Sequence, residues 1–220
     1  MRLVRKARTV RKIETITMPK KGSLWLALGV FLVTAGLGVA INSTVFGRGL
    51  RLGWSISRYV GCETWSAVLF ALGNFLVIAM VGRYLWKLGD KWHMLRIYYY
   101  CAFLMCVGLL WLSLCPVGYF DVVANGVVEK SVISYVHEIS SKLMFIMMML
   151  MAAMLAGNWR ACAQTRAVCV AYLVYAVFCV TGYLTAGSWF TPLILIYESL
   201  YIASFPLVLI ACRTGKELRG

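Results

Sequence analysis

Six long apolar stretches constrain this chain of 220 residues more than any other feature. Each stretch is close to the roughly 20 residues that an α-helix needs to cross a hydrocarbon core about 30 Å thick. The stretches are nearly free of charged side chains. They cover residues 24–41, 64–82, 97–115, 139–157, 167–186 and 191–212. The pattern predicts an all-α fold, an integral membrane bundle of six transmembrane helices.

The composition agrees with a membrane protein and excludes an ordinary soluble domain. Hydrophobic residues make up 62% of the chain, charged residues make up 14%, and the mean hydropathy is +0.81. A soluble domain is typically about 45–50% apolar and about 25% charged. We expect one membrane domain over residues 24–212, a basic segment over residues 1–23 before it, and a tail over residues 213–220 after it.

The last two apolar stretches are separated by a short break. Residues 167–197 carry no charge, and as one straight helix they would run about 46 Å, which is too long for a bilayer. Gly187, Ser188 and Pro192 interrupt this run, because glycine and proline favour turns and proline suits a first helical turn. The sequence therefore predicts a tight antiparallel hairpin of the fifth and sixth helices.

The basic residues lie mostly on one side of the predicted bundle. Of the 22 lysines and arginines, 17 fall in the two termini and in the second and fourth loops. The five on the other side are Arg48, Arg51, Arg58, Lys130 and Lys142. Cytoplasmic loops of membrane proteins are enriched in lysine and arginine. The distribution predicts that both termini are cytoplasmic, in a multi-pass protein of the plasma membrane, which would be the inner membrane of a bacterium.

The net charge of +14 is explained by this topology and by attraction to lipid. The basic segment places Arg5, Arg8 and Lys12 among apolar residues, a pattern typical of a helix lying on an anionic membrane surface. A surface for nucleic acid would interleave basic and aromatic residues, and this segment does not. The predicted partners are membrane lipids, with anionic lipid at the basic segment, and no nucleic acid.

Glu198 is the acidic residue placed furthest inside a predicted helix. A charge at the centre of a transmembrane helix costs about 2.5–3.5 kcal/mol on insertion scales, so another interaction must offset it. Two interpretations stay open. Glu198 either lines an outward-facing cavity or forms a buried ion pair with Lys142 or Arg58.

A second candidate cluster surrounds the start of the fourth predicted span, and Lys142 lies one turn inside that span. On a helix, His137 and Ser141 share one face, and Glu138 and Lys142 share another. Asp121 precedes them in the same outer loop. A carboxylate and a histidine can act in general acid–base catalysis, although a polar first turn of an interfacial helix has the same composition. Asp121 and His137 are the candidate catalytic residues.

Cofactor and disulfide chemistry have little support in the sequence. The two histidines, His93 and His137, fall on opposite sides of the predicted membrane, and the cysteine spacing does not match a zinc site. We therefore expect no metal and no cofactor. Cys62 and Cys115 lie near the outer surface, where the compartment would allow a disulfide.

Three segments resemble a known family. They are Ser55-Ile56-Ser57-Arg58-Tyr59-Val60-Gly61, the loop from Pro116 to His137, and Leu195-Ile196-Tyr197-Glu198-Ser199-Leu200. With them, the chain resembles the bacterial six-span membrane proteins built on domain of unknown function 998. It is also distantly similar to the DRAM/FRAG-like membrane proteins. The resemblance implies a six-span fold and no particular activity. Arg58 stands where an acidic residue is frequent in that family.

Three functions remain as hypotheses from the sequence. The first is a non-enzymatic membrane protein that binds or handles a lipid or small amphiphile in an outward-facing pocket, with Arg58, Glu138, Ser141, Lys142 and Glu198 as candidate pocket or ion-pair residues. The second is an intramembrane hydrolase that uses Asp121, His137 and Ser57 or Ser141. The third is a secondary transporter, which would need a broken helix and paired charges at mid-membrane. The small number of histidines argues against a metal-assisted hydrolase.

Overall fold

The computed structural model describes residues 21–115, 122–124, 127–129, 131–185 and 191–212. Within these ranges, six helices are long and apolar enough to cross a membrane. They are α1 (Gly22–Thr44), α3 (Thr64–Trp92), α4 (Arg96–Leu114), α5 (Val132–Gly157), α6 (Ala163–Thr185) and α7 (Ile194–Ala211). A short helix, α2 (Ile56–Val60), lies between α1 and α3. The predicted all-α membrane bundle of six helices is confirmed.

The six long helices form a closed ring. Each packs on the next one along the chain, and α7 returns to pack on α1. Successive long helices run in opposite directions, so the bundle has two distinct ends. We call the end where α1, α4 and α6 finish the loop end, because α2 lies there. We call the other end the basic end, because Lys21, Lys91 and Arg160 lie there.

A glycine allows a close contact between α4 and α5. A Cβ atom placed on Gly108 of α4 would lie 3.0 Å from the Ser140 carbonyl oxygen and 3.2 Å from the Met144 backbone nitrogen of α5. Small residues allow the backbones of membrane helices to approach closely. Gly108 thus lets α4 and α5 pack against each other, and this contact positions the polar side chains at the loop end of both helices.

Two helices are longer than their predicted spans. Helix α3 continues past residue 82 to Trp92 through Arg83, Lys87 and Lys91, because lysine and arginine are good helix formers that keep their charged ends in water. It ends at His93, which adopts a left-handed conformation with a φ of 49°. The apolar run therefore predicts the part of α3 that can cross a membrane, but it does not predict where the helix ends.

Helix α5 begins seven residues before the predicted span. Ser131 caps it, since its hydroxyl accepts a hydrogen bond from the Ser134 N–H. Lys142 consequently lies well inside the helix rather than one turn from its start, and its side chain is exposed on the outside of the ring. The early start is a local effect of the serine cap, because capping decides where a helix begins independently of hydropathy.

A short hairpin and a single 3₁₀ turn lie between the long helices. Before α5, β1 (Val122–Ala124) pairs with β2 (Val127–Glu129) as an antiparallel hairpin, with Val123 opposite Val128. A single 3₁₀ turn over Thr191–Leu193 leads into α7. Residues 1–20 of the predicted basic segment, Asp121, the break at residues 187–188 and the tail at residues 213–220 lie outside the described residues.

Candidate functional site

A buried tyrosine holds the loop of residues 45–63 against the loop end. Tyr59 of α2 is fully buried. Its hydroxyl accepts a hydrogen bond from the Arg51 N–H and lies 3.1 Å from the Gly49 carbonyl oxygen and 3.3 Å from that of Arg51. One side chain therefore satisfies several backbone groups of the loop, which fixes the loop relative to the ring.

Asn42 joins three elements beneath this loop. Its side-chain nitrogen donates to the Gly38 and Tyr59 carbonyl oxygens, both at 2.9 Å, and lies 3.1 Å from the Ser66 hydroxyl oxygen. The two carbonyls accept only, so the orientation of the amide is determined. Asn42 is fully buried and ties the end of α1 to α2 and to the start of α3.

Glu198 has a different partner from the one predicted. Its Oε2 accepts a hydrogen bond from the Ile56 N–H at 2.8 Å, at the first turn of α2. Among the described side chains, neither Lys142 nor Arg58 forms a salt bridge with it. The predicted ion pair is not formed among the described residues, because Arg58 stacks on Trp54 and the Lys142 side chain is exposed on the outside of the ring. The carboxylate instead binds the positive end of a helix, where anions are stabilised.

A small cavity lies at the loop end between α2, α3, α4 and α5. Its volume is about 10 Å³, enough for about one water molecule. We call it the polar cavity. It is lined by Ser57, Val60, Gly61, Ala67, Phe70, Leu112, Ser113 and His137. The structure thus brings together Ser57 and His137, which are 80 residues apart in the sequence.

Hydrogen bonds fix the polar groups around this cavity. The Nδ1 atom of His137 lies 2.5 Å from the Cys115 carbonyl oxygen. A carbonyl cannot donate, so Nδ1 carries the proton and Nε2 of the neutral ring is an acceptor. Ser113 accepts from the Asn74 side chain at 2.8 Å and donates to the Leu109 carbonyl oxygen at 2.6 Å. Most of the cavity lining is apolar, and its polar groups are those of Ser57, Ser113 and His137.

The other residues of the predicted cluster do not line this cavity. The Ser141 hydroxyl donates to the Glu138 carbonyl oxygen of its own helix at 2.9 Å, and both side chains are partly exposed. Lys142 also points outward. Of these four residues only His137 is buried. Ser141 lies one turn further along the same face, and its hydroxyl is bonded to the backbone of its own helix.

A second cavity lies deeper in the ring and has an apolar lining. Its volume is about 30 Å³, and we call it the apolar cavity. It is lined by Ala27, Leu28, Phe31, Val77, Ile78, Val81, Met105, Leu109, Met148, Ile202, Phe205 and Pro206. Five of the six long helices contribute to it. Sequence reasoning missed this cavity, since nothing in an apolar run tells a cavity wall from tight packing.

The two outer cysteines are free thiols. Cys62 donates to the Arg58 carbonyl oxygen at 3.1 Å, and Cys115 is buried at the end of α4. Burial raises the pKa of both thiols. No disulfide joins them in this structure, so the stability of the loop end rests on the hydrogen bonds described above.

Comparison of the chain with family models, with curated proteins and with solved structures found no match. The resemblance to the six-span family built on domain of unknown function 998 therefore stays a prediction. The functional argument rests on the geometry of the two cavities and of the loop above them.

Proposed function

We propose that this multi-pass membrane protein binds a membrane amphiphile inside its helix ring. The observation that carries the proposal is that the polar and apolar cavities follow one another along α4. Leu109 lines the apolar cavity and Leu112 lines the polar one. Three residues of helix correspond to about 4.5 Å along the axis. One elongated molecule could therefore occupy both.

An amphiphile has a polar end and an apolar tail, and the linings of the two cavities differ in the same way. The polar cavity offers Ser57, Ser113 and His137, which exchange hydrogen bonds with an uncharged polar group. The apolar cavity offers Met105, Phe205 and other side chains suited to a hydrocarbon tail. Both cavities are small, and methionine side chains adapt readily to a bound molecule. We propose that a single acyl chain enters the apolar cavity. The polar end of the same molecule then forms hydrogen bonds with the polar side chains that line the polar cavity.

The orientation of the bundle is part of the same proposal. We propose that the basic end faces the cytoplasm and the loop end faces outward in the plasma membrane, which makes the polar cavity an outward-facing site. The 17 basic residues on the side of the basic end support this orientation. Reporter fusions after Gly157 and at Asn125 should then be active on the cytoplasmic and on the outer side, respectively.

Photo-crosslinking of the full chain in lipid nanodiscs tests the amphiphile site. The probe is a long-chain fatty alcohol with a diazirine in its tail, and mass spectrometry locates the adducts. We expect adducts on residues that line the apolar cavity. Leu109→Trp should fill the cavity and lower this labelling several-fold, because an indole is much larger than an isobutyl group.

Leu114→Trp is the matched control on the same helix. Leu114 is 49% exposed on the outer surface, so this substitution should leave interior labelling unchanged. Equal interior labelling of wild type and Leu109→Trp would contradict the proposal, as would adducts confined to exposed residues. His137→Phe should lower labelling by the alcohol more than labelling by the corresponding hydrocarbon, since only the alcohol has a polar group to bind.

A second candidate function is supported by the placement of Ser57 and His137 on one cavity. We propose, as the alternative, a serine hydrolase in which Nε2 of His137 takes the proton of the Ser57 hydroxyl. The Ser57 hydroxyl now lies 3.0 Å from that of Ser55, so it would have to rotate toward His137. A fluorophosphonate probe should label Ser57 and should not label the His137→Gln variant. Lack of labelling in the wild type would refute this alternative.

A further inference from the structure

Two arginines share one tryptophan ring at the surface of the loop end. The guanidinium carbon of Arg51 lies 4.9 Å from the centroid of the Trp54 ring, and that of Arg58 lies 4.5 Å from it. Both arginine side chains are exposed. Stacking on an aromatic face holds a guanidinium in place while its N–H groups stay available to other acceptors.

The support beneath these side chains is rigid. The rings of Trp54 and Tyr59 are in contact, with centroids 5.1 Å apart, and Tyr59 is the buried residue that fixes the loop. The Arg51 backbone is bonded to the Tyr59 hydroxyl, and the Arg58 N–H is bonded to the Ser55 hydroxyl at 3.2 Å. The two cations are thus presented by an ordered backbone rather than by a loose loop.

The charges around the pair leave it without a counter-ion. Arg48 is neutralised by Glu63, with Nη2 and Oε1 2.8 Å apart. The Glu198 carboxylate is engaged with the Ile56 N–H. In the part of the chain that the structure describes, no carboxylate forms a salt bridge with Arg51 or Arg58. Two guanidinium groups held near one ring and left uncompensated form a site for an anion.

We infer that Arg51, Trp54 and Arg58 bind the phosphate group of an anionic phospholipid. Guanidinium groups match the geometry of phosphate oxygens through paired N–H donors, and two of them can bind one phosphate from different sides. The surroundings favour a lipid as the source. Val45, Phe46 and Leu50 in the same loop are 73%, 46% and 64% exposed, as expected for a loop that dips into the membrane interface.

This site does not depend on the amphiphile proposal. None of its three residues lines either cavity, and the Arg51–Trp54–Arg58 site would lie at the headgroup level outside the ring. Loss of lipid at the arginine pair should therefore leave labelling of the apolar cavity intact. Conversely, failure of the interior labelling would say nothing against the phosphate site.

Native mass spectrometry of the delipidated full chain tests the inference. The protein is titrated with phosphatidylglycerol and, separately, with phosphatidylcholine, whose headgroup carries no net charge. We expect wild type to retain more phosphatidylglycerol. The double variant Arg51→Gln, Arg58→Gln should lose this preference several-fold. Arg48→Gln is the matched control: it removes an arginine of the same loop that is already paired, so retention should stay near the wild-type level.

Two further measurements separate the outcomes. The double variant Arg51→Lys, Arg58→Lys keeps the charges but loses the paired N–H donors, and it should bind with intermediate strength. It also serves if the glutamine variant fails to fold. Inorganic phosphate in excess should compete weakly, because it lacks the acyl chains. Complete displacement by inorganic phosphate would overturn the assignment to a lipid. Equal retention by wild type and both double variants would overturn the site itself.

Discussion

The two ends of the bundle differ in the part that cations play in their polar contacts. At the loop end, several buried contacts are made by neutral groups, the Asn42 amide and the Tyr59 and Ser66 hydroxyls. The Glu198 carboxylate adds a further contact there. At the basic end, neutral groups such as the Asn158 amide also contribute, but two carbonyl groups near helix ends are bound by cations. The Lys21 ammonium nitrogen lies 2.5 Å from the Ile210 carbonyl oxygen, and Arg160 Nη1 lies 2.8 Å from that of Lys91.

The cations at the basic end bind where helices finish. Ile210 is in the last turn of α7, and Lys91 is in the last turn of α3. The final carbonyls of a helix have no partner within the helix and carry the negative end of its dipole. A lysine or arginine side chain donates hydrogen bonds to these carbonyls and places a positive charge at the negative end of the dipole, while the charged group stays near water. Hydrogen bonds from these two cations therefore help to hold the helices together at the basic end.

The difference shows what each end can do. Neutral polar groups that face inward can form hydrogen bonds with a bound molecule. Cations that are already bonded to the carbonyl groups of helix ends stabilise the packing of the helices instead. Three measurements test this contrast between the ends.

The largest effect is expected for Asn42→Leu. The substitution leaves the buried Tyr59 carbonyl and Ser66 hydroxyl without their shared donor, which should lower the free energy of unfolding by about 1–3 kcal/mol. Unfolding in mixed micelles of mild detergent and sodium dodecyl sulfate measures it. Ser43→Leu is the control, because the partly exposed Ser43 hydroxyl bonds only to Ala40 of its own helix. Equal losses in both variants would remove the special role of Asn42.

A smaller effect is expected for Arg160→Met at the basic end. The change removes the bond to Lys91 and one cation from a helix C-terminus, at a cost of roughly 0.3–1 kcal/mol in unfolding free energy. The same unfolding assay measures it. Arg166→Met is the control, since Arg166 is exposed and its contact with the Asn158 carbonyl is long, at 3.5 Å. A loss larger than that of Asn42→Leu would reverse the contrast between the ends.

The smallest effect concerns two cysteines, one beside each end. Burial raises the pKa of Cys62 at the loop end. A hydrogen bond with the Thr165 side chain lowers the pKa of Cys162 at the basic end. A raised pKa shifts thiolate formation to higher pH. The rate of maleimide labelling should therefore reach half of its plateau at a higher pH for Cys62 than for Cys162. Variants that each keep one cysteine give the two midpoints, normalised to their plateaus. Reversed midpoints would contradict both assignments.

The number of long helices was predictable, but their ends and their contacts were not. Hydropathy locates the part of a helix that crosses the membrane, whereas the end of α3 depends on good helix formers beyond it, and the start of α5 depends on the Ser131 cap. The hairpin of β1 and β2 has a local signal in the sequence. Asn125-Gly126 stands between its strands, and this dipeptide favours hairpin turns.

The candidate site was predicted only in part. His137 and Ser57 are both candidate residues from the sequence, and they line one cavity. Glu138, Ser141 and Lys142 do not line it. The partner of Glu198 is a backbone N–H, and side-chain charge gives no information about such partners. Asn74 and Ser113 were missed, although polar residues inside apolar spans commonly form contacts between helices. That signal could have identified them.

The hydrogen bond between Glu198 and Ile56 also bears on the order in which the chain is completed. Its partners are 142 residues apart, and a second bond, from the Leu195 N–H to the Leu52 carbonyl oxygen at 2.9 Å, joins the same two regions. Domains are synthesised from the N-terminus onward, and contacts distant in sequence form late. The loop of residues 45–63 therefore leaves the ribosome early but receives its last two bonds only when α7 arrives to close the ring.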